Sequence, residues 1–496
     1  MHTRTTIALI AVLVMFGAGT AALLTPDGTP MSTPTVVPSP ASMTFGEGSF
    51  TPTSVSGPGA EFAGAALGLP VVESGDVTLE VTGGTGEGYT VSVGGGGIHV
   101  SAPTEAGIFY AVQTLRQLEV DGTFAAVEID DEPRFAYRGA MLDVARHFFD
   151  VDDVKRYIDD IALLKINHLH LHLTDDQGWR IEIRSWPLLT ERGAQTSVDG
   201  NGGGFYSQDD YREIVDYAAS RFVTIVPEID MPGHTNAALH AYPELTCDGV
   251  APDAYEGTEV GFSSLCIGSE RTYDFVADVL TELAAITPGP YLHIGGDESL
   301  STTDDDFLAF ARRVGEIGAT TGKTLVGWHE LGASTELPEG TIGQYWGFTR
   351  PEGDSAAEAS TFVERGGTVI LSPADVAYLD MKYDSGQALG LEWAQGVTPV
   401  TEAALWEPTK IIPGVGDAQI LGIEAPLWSE TLTTIDDIEY MAFPRLAAIA
   451  DIAWSPRVDA TPIARFDELG PRLVAFCSRL DALGVKYYRA PDLPWR

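Results

Sequence analysis

Residues 291–298 read YLHIGGDE, a short and largely apolar run followed by two glycines and two adjacent acids. The run predicts a buried strand, and the glycines let the chain leave extended geometry just before Asp297 and Glu298. The same order, an apolar run followed by reactive side chains, recurs in seven other segments: RGAMLDVA, NHLHLHLTD, VTIVPEID, TLVGWHE, TIGQYWG, TVILSP and ILGIEAPLW. Eight strands that end in polar residues therefore decide the fold.

Helical patterns separate these strands. Ser207 and Asp210 form a capping-box pattern, and Asp150 precedes another helical run. This alternation is typical of either a (β/α)8 barrel or an open doubly wound sheet. Because the reactive residues come from all eight strands, whereas an open sheet concentrates them at one switch point, we predict an α/β fold with a (β/α)8 TIM barrel over residues 134–496.

Residues 43–133 have a different texture and predict a small N-terminal α/β domain. Its strands are DVTLEV, GYTVSV and GIHVSAP, and a helix is predicted over Glu105–Leu118. The glycine run Gly94–Gly97 lies between two strand patterns and lacks the Gly-Lys-Ser/Thr ending of a phosphate loop. We therefore predict a hairpin turn there.

The first residues predict export. His2 and Arg4 precede an apolar run that is too short and ends too abruptly for a typical spanning helix. Residues 1–24 are interpreted as a secretory signal peptide, with an uncleaved N-terminal anchor as the alternative. Residues 25–42 are rich in Pro, Thr and Ser, which is typical of a linker. The mature chain is thus expected outside the cell or at its surface.

The three cysteines are compatible both with an exported chain and with one that stays in the cytosol. Cys247 and Cys266 lie in one loop-like stretch and are candidates for a local disulfide if the chain is exported. Three unpaired thiols are the alternative, and Cys477 is expected to be a buried thiol.

Composition limits the partners. Lys and Arg number 29 against 71 Asp and Glu, a net charge of −42, so the chain repels phosphate backbones and nucleic acid is excluded as a partner. The sequence indicates no cofactor and no partner protein.

The predicted strand ends carry carboxylates, three tryptophans, a tyrosine and one arginine. Aromatic faces pack on sugar C–H surfaces while charged groups bind hydroxyls, so this set predicts a neutral, polyhydroxylated ligand. An anionic ligand would require more Arg and Lys. In chain order the candidates are Arg138, Asp175, His234, Asp297, Glu298, Trp328, Trp346, Tyr378, Asp380, Trp428 and Glu430.

The adjacent acids Asp297 and Glu298 constrain the mechanism. A retaining glycosidase with an enzymic nucleophile needs two carboxyls about 5 Å apart across the bond, which neighbouring residues seldom provide. If Glu298 protonates the leaving oxygen, Asp297 more naturally supports a group beside the anomeric carbon. An N-acetyl group of the substrate could then be the nucleophile.

Six motifs in order, RGAMLDVARHFF, LHLHLTDDQGWR, VPEIDMPGHT, HIGGDE, YLDMKY and APLWSE, resemble bacterial family 20 glycoside hydrolases, the β-N-acetylhexosaminidases. The resemblance covers about residues 43 to 496. It implies an exo-acting enzyme that removes terminal N-acetylglucosamine or N-acetylgalactosamine with retention, through an oxazolinium intermediate. The expected partners are N-acetylhexosamine-containing oligosaccharides.

The resemblance also implies a role for each candidate. Glu298 would be the general acid/base, Asp297 would polarise the acetamide with help from Tyr378, and Asp175 and His234 would form a relay behind Glu298. The tryptophans 328, 346 and 428 would enclose the acetamide and the ring, Arg138 and Glu430 would hold hydroxyls, and Asp380 would lie near the 6-hydroxyl. One departure is His329, which stands where the family's GWDE motif has an acid.

Two other functions compete with this reading. His168, His170 and His172 alternate on one strand and, with Asp175 and His234, could bind a metal as in metal-dependent amidohydrolases. We expect instead that these rings fill the barrel and that no metal site exists. A catalytically inactive amino-sugar-binding protein is the other alternative, which the intact Asp297–Glu298 pair disfavours.

Overall fold

The chain is described here by a computed structural model that covers residues 33–457 and 461–495. The predicted signal or anchor at residues 1–24 lies outside the described residues, as does the first part of the stretch interpreted as a linker. Residues 33–41 of that stretch lie against the rest of the protein. Val36 and Val37 are buried, and the side chain of Gln117 donates to the carbonyl oxygen of Val37 at 2.7 Å.

A mixed sheet with two helices forms the N-terminal domain. Its strands follow the order β1-β7-β4-β5-β3-β2, with β6 paired to β7. Gly94 pairs with Gly97 where β4 turns into β5, so the predicted hairpin is confirmed. The elements are β1 (Ser42–Phe50), β2 (Val55–Ser56), α1 (Ala60–Leu67), β3 (Val77–Val81), β4 (Tyr89–Gly94), β5 (Gly97–Ala102), α2 (Glu105–Leu118), β6 (Glu119–Val120) and β7 (Thr123–Asp131).

Eight parallel strands then close into a barrel. Each of the eight predicted segments contains one of them, and the last pairs with the first, so the predicted TIM barrel with its preceding α/β domain is confirmed. The strands are β8 (Tyr137–Asp143), β9 (His168–His172), β10 (Thr224–Glu228), β11 (Tyr291–His293), β12 (Thr324–Trp328), β13 (Ile342–Tyr345), β14 (Val369–Leu371) and β15 (Ile420–Ala425).

Helices lie between and after these strands. Ser207 and Asp210 make both bonds of a capping box, and Asp150 caps the first helix of the barrel, as their sequence patterns predict. The helices are α3 (Val151–Ala162), α4 (Leu188–Glu191), α5 (Gln208–Ala219), α6 (Asn236–Ala241), α7 (Glu270–Ile286), α8 (Asp304–Ala319), α9 (Ser355–Glu364), α10 (Ala374–Ala377), α11 (Val400–Ala404), α12 (Ile435–Ala442), α13 (Arg445–Trp454) and α14 (Pro462–Leu483). Among the described residues, none of these helices has the length and hydropathy needed to span a bilayer.

The interior of the barrel is polar. Glu228 on β10 lies 2.5 Å from Nδ1 of His172 and 3.0 Å from Nε2 of His170. Glu424 on β15 lies 2.9 Å from Nδ1 of His170. Although burial alone would lower the pKa of these imidazoles, the neighbouring carboxylates raise it to about 10 for His170 and about 9 for His172. The two histidines lie inside the barrel, as expected, and they also act as the counter-ions of buried carboxylates, which the sequence did not predict.

Two buried cations join the domains. Nη1 of Arg138 at the start of β8 lies 2.8 Å from Glu87, which precedes β4. Nζ of Lys165 before β9 lies 3.0 Å from Asp131 at the end of β7. Arg138 and Lys165 are at most 1% exposed, so both depend on carboxylates of the small domain for charge compensation.

A disulfide links Cys247 and Cys266, the candidate pair of the sequence, and Cys477 is a buried free thiol. The stretch between the paired cysteines is tied to the barrel. Asp176 accepts a hydrogen bond from the Ser263 hydroxyl at 2.5 Å, and Gln177 donates to the carbonyl oxygen of Gly257 at 2.8 Å.

A second acidic pair lies far from the strand ends and generates a stability prediction. Asp160 on α3 faces Glu439 on α12, and both are nearly inaccessible. Burial, and then the charge of Glu439, raises the pKa of Asp160 from 3.8 to about 9. Between these pH values folding takes up a proton at Asp160, so the free energy of unfolding decreases as pH rises.

Asp160→Asn removes this dependence, because the amide can donate to Glu439 without binding a proton. We expect the variant to exceed the wild type in unfolding free energy by about 1 kcal/mol at pH 8, with a smaller difference at pH 5. Urea unfolding at the two pH values measures this. Equal or lower stability of the variant at pH 8 would contradict it.

Candidate active site

A pocket of about 370 Å³ opens at the carboxyl ends of the barrel strands. Six of the predicted site residues lie on its wall, and four others are buried behind that wall. The wall is formed by Arg146, Thr258, Val260, Asp297, Glu298, Trp346, Tyr378, Leu391, Trp393, Trp428 and Glu430.

The chain leaves the strand before the two acids, as the glycines predict. Strand β11 ends at His293, and Gly295 and Gly296 have φ of +64° and +108°. Glu298 itself has φ of +45°, a left-handed conformation that is uncommon for residues with a side chain. This turn places both carboxyls at the pocket, although consecutive strand residues would point to opposite faces.

His234 connects Glu298 to the barrel interior. Its Nε2 lies 3.4 Å from Glu298 and 3.8 Å from Asp297, while its Nδ1 lies 3.2 Å from Asp175. Burial would lower the pKa of His234, but Asp175 outweighs it and raises that pKa well above its ordinary value. His234 is therefore a cation placed between Asp175 and the two acids of the pocket.

Asp175 is the junction between this relay and the barrel. Its Oδ2 lies 2.7 Å from Nε2 of His172 and 2.8 Å from Nη2 of Arg146. Burial favours the protonated form, yet Arg146 and His234 keep the pKa of Asp175 well below its ordinary value. The structure thus brings Asp175, His234 and Glu298 together in the predicted order.

Aromatic rings form much of the pocket wall and the layer directly behind it. Trp328 is buried, packs 6.1 Å from Trp428 and donates its indole N–H to Glu228 at 2.8 Å. Tyr378 lies 6.2 Å from Trp428, and burial followed by the charge of Asp297 raises its pKa well above 10. Tyr378 therefore remains a hydroxyl donor at any working pH.

Arg138 does not belong to this site, and its assignment to sugar hydroxyls is corrected. It is the second residue of β8, so it lies at the amino end of the barrel, opposite the pocket. The arginine on the pocket wall is Arg146, which follows β8. Asp143 at the end of that strand accepts hydrogen bonds from the backbone of Ala145 and Arg146 and so fixes the turn. The guanidinium of Arg146 lies 4.8 Å above the ring of Trp428.

Two further acids of the predicted set are Asp380 and Glu430. Asp380 is 1% exposed and Glu430 lines the wall. Burial, and then the charge of Glu430, raises the pKa of Asp380 well above 3.8. Neither oxygen of Asp380 has a hydrogen-bond partner among the described residues, so this carboxyl is available to a ligand hydroxyl.

His329 lies behind the pocket wall. It is buried, and its ring is 5.4 Å from that of Trp346. Glu330 next to it accepts the indole N–H of Trp346 at 3.0 Å. Burial lowers the pKa of His329 to about 3, so the ring is neutral at neutral pH. The departure from the family motif therefore adds no charge beside Trp346.

Sequence reasoning missed part of the wall. Trp393 is 48% exposed and packs against Trp346 and Tyr378, at 6.1 and 5.7 Å between ring centroids. Thr258 and Val260 come from the disulfide-closed stretch. These residues lie in loops without periodic patterns, whereas Arg146 could have been found from its position just after β8.

Comparisons with known proteins show which domains and chains this protein is similar to. Residues 135–457 match the glycosyl hydrolase family 20 catalytic domain, and residues 60–132 match domain 2 of that family. A β-N-acetylhexosaminidase of Cellulomonas fimi is 44% identical over 417 residues, covering 82% of each chain.

Solved structures are equally similar. An N-acetyl-β-hexosaminidase of Streptomyces plicatus, in complex with Thio-NAglucal, has a TM-score of 0.88 and 47% identity, covering 93% of this chain and 97% of that one. A β-N-acetylhexosaminidase of Streptomyces coelicolor A3(2) has a TM-score of 0.90 and 46% identity, covering 95% of this chain and all of the other.

Two acids in a pocket walled by aromatic rings at the mouth of a barrel are typical of a glycoside hydrolase. The chain belongs to glycosyl hydrolase family 20, which confirms the resemblance seen in its motifs. It is an exo-acting β-N-acetylhexosaminidase that retains anomeric configuration by using the acetamide of its substrate.

The two arginines provide a test of the corrected site. Arg146→Lys keeps a charge for Asp175 but loses the planar fork that can hold two hydroxyls. We expect kcat/KM on a chromogenic N-acetylglucosaminide to decrease about 10- to 100-fold, because a charge-assisted hydrogen bond is lost.

Arg138→Lys is the matched control. It should leave kcat/KM within about twofold of wild type and lower the Tm, since Arg138 acts at the domain junction. A large loss of activity in Arg138→Lys with full activity in Arg146→Lys would restore the original assignment.

Proposed function

We propose that Glu298 is the general acid/base of this hexosaminidase and that Asp297 orients and polarises the acetamide of its substrate. The observation that carries this proposal is the different placement of the two acids. The side chain of Asp297 is only 10% exposed, whereas that of Glu298 is 33% exposed at the opening of the pocket. Glu298 can thus reach a leaving oxygen, while Asp297 can reach only a group deep in the pocket.

In the first step Glu298 protonates the glycosidic oxygen as the acetamide oxygen attacks the anomeric carbon. Asp297 accepts the acetamide N–H and stabilises the positive charge of the oxazolinium ring. Tyr378 donates to the acetamide oxygen and positions it for attack. Trp328, Trp346 and Trp428 surround the methyl group and the sugar ring.

In the second step the Glu298 carboxylate takes a proton from water, which opens the oxazolinium ring at the anomeric carbon. The two inversions together retain the configuration. His234, held by Asp175, stabilises the Glu298 carboxylate between the two proton transfers, because its charge lies 3.4 Å away. Arg146, Glu430 and Asp380 hold ring hydroxyls.

We propose that the substrate is the non-reducing end of an N-acetylated oligosaccharide, such as a chitin fragment. We also propose that the enzyme is exported. The narrow pocket and the exposed ring of Trp393 at its rim support the first point. The disulfide and the apolar run at residues 1–24 support the second.

From N-acetylglucosamine oligomers of increasing length we expect the successive release of single sugars. In fractionated cells we expect the activity outside the cytosol. Release of disaccharides, or activity confined to the cytosol, would contradict the respective point. Chromatography of the products and cell fractionation measure these outcomes.

Asp297→Asn tests the nucleophile. We expect turnover to decrease about 10²- to 10³-fold, because the developing positive charge loses its counter-ion. Added azide should restore little activity, since no enzymic nucleophile has been removed. Glu298→Gln is the comparison variant, because azide is an anionic nucleophile that can attack the oxazolinium ring in place of water without a general base.

A covalent sugar adduct on Asp297, detected by mass spectrometry, would contradict this assignment. A thiazoline mimic of the cyclised substrate should inhibit the wild type strongly and Asp297→Asn weakly.

A further inference from the structure

Asp230 is a buried acid beside the catalytic pair that the mechanism above does not use. It follows β10 by two residues and is 1% exposed. One of its oxygens lies within 4.8 Å of an oxygen of Asp297 and a ring nitrogen of His234. It also lies within the same distance of Asp175 and His172.

The turn before the catalytic acids is built around this carboxyl. Oδ1 of Asp230 accepts the backbone N–H of Gly296 at 3.0 Å. A Cβ at position 295 would lie 1.7 Å from that same oxygen, so only glycine permits the approach. Oδ2 of Asp230 and Oδ1 of Asp297 are fully buried and have no partner among the described residues.

Two neighbouring carboxyls that water does not reach cannot both remain ionised. The charged groups that face Asp230 are the carboxylates of Asp297, Glu228 and Asp175 and the imidazoles of His234 and His172. His172 is held by Glu228, and Asp175 is also held by Arg146, so His234, 3.8 Å from Asp297, can balance only one negative charge of the pair. One proton is therefore required for the Asp230–Asp297 pair.

We propose that Asp230 carries this proton on Oδ2 and donates it in a hydrogen bond to Asp297, so that Asp230 is a positioning residue for the acetamide-orienting carboxylate. The inference rests on the proposed role of Asp297. With its inner oxygen held, Asp297 keeps its negative charge and turns its outer oxygen toward the pocket. Burial and the charge of Asp297 raise the pKa of Asp230 well above 3.8, which agrees with this arrangement.

A protonated aspartic acid has a close isostere in asparagine. In Asp230→Asn the amide oxygen can accept from Gly296, and the amide N–H can donate to Asp297. An ionised Asp230 would have no such substitute, because the amide would remove a charge. The two variants Asp230→Asn and Asp230→Ala therefore distinguish the protonated acid from a charged or merely space-filling one.

We expect Asp230→Asn to keep kcat within about tenfold of the wild type and Asp230→Ala to lose about 10²- to 10³-fold, with KM changing less than kcat. In an Asp297→Ala background the same Asp230→Ala change should cost less than about threefold, because Asp230 acts through Asp297. Asp160→Asn, which alters the remote acidic pair, is the matched control and should leave kcat unchanged.

Infrared spectroscopy supplies a readout that does not depend on catalysis. The difference spectrum of wild type minus Asp230→Asn at neutral pH should contain the carbonyl stretch of a protonated carboxyl. Its absence would overturn the proposal, whatever the kinetics. So would a folded Asp230→Asn that is as inactive as Asp230→Ala, or an Asp230→Ala with full activity.

Failure of the proposed function has a different signature. If Asp297→Ala left inhibition by the thiazoline mimic unchanged, the role of Asp297 would be wrong, while the infrared band would still report the proton on Asp230.

Discussion

The site depends on charges that the barrel holds out of water. A series of carboxylates and imidazoles runs through the barrel interior to the pocket, each within 3.4 Å of the next: Glu424, His170, Glu228, His172, Asp175, His234 and Glu298. Burying an unpaired charge costs several kcal/mol, so opposite charges must alternate along it. This alternation keeps Asp175 anionic and His234 cationic and thereby fixes the surroundings of the acid/base.

The same network also contacts one of the tryptophans near the pocket. Glu228 contacts His172, His170 and His293 and also accepts the indole N–H of Trp328. One buried carboxylate thus orients part of the relay and the ring of Trp328, which lies behind the pocket wall against Trp428. His170 and His172 on β9 are the cations that make this carboxylate tolerable inside the barrel.

The features that the sequence predicts correctly are those set by the periodicity of apolar residues and by position along a strand. Apolar runs with polar ends located all eight barrel strands, and Gly295 and Gly296 indicated that Asp297 and Glu298 could share one pocket. The assignment of Arg138 to the site is wrong because Arg138 lies at the amino end of its strand, whereas the pocket lies at the carboxyl ends. Trp393 and Val260 could not be predicted, since their loops acquire shape only by packing on the barrel. Asp230 belongs to the VPEIDMPGHT motif, but no pattern in the sequence indicates its proximity to Asp297, which depends on a left-handed turn in a distant segment.

The ion pairs at the amino end of the barrel limit how the two domains can be separated or combined with other domains. Arg138 and Lys165 belong to the barrel, yet their anionic partners Glu87 and Asp131 belong to the domain before it. A barrel cut from the small domain after Asp131 would lose the carboxylates that directly pair with both cations. The two domains should therefore be inherited and transplanted as one piece, and a shuffled gene would need its crossover upstream of both.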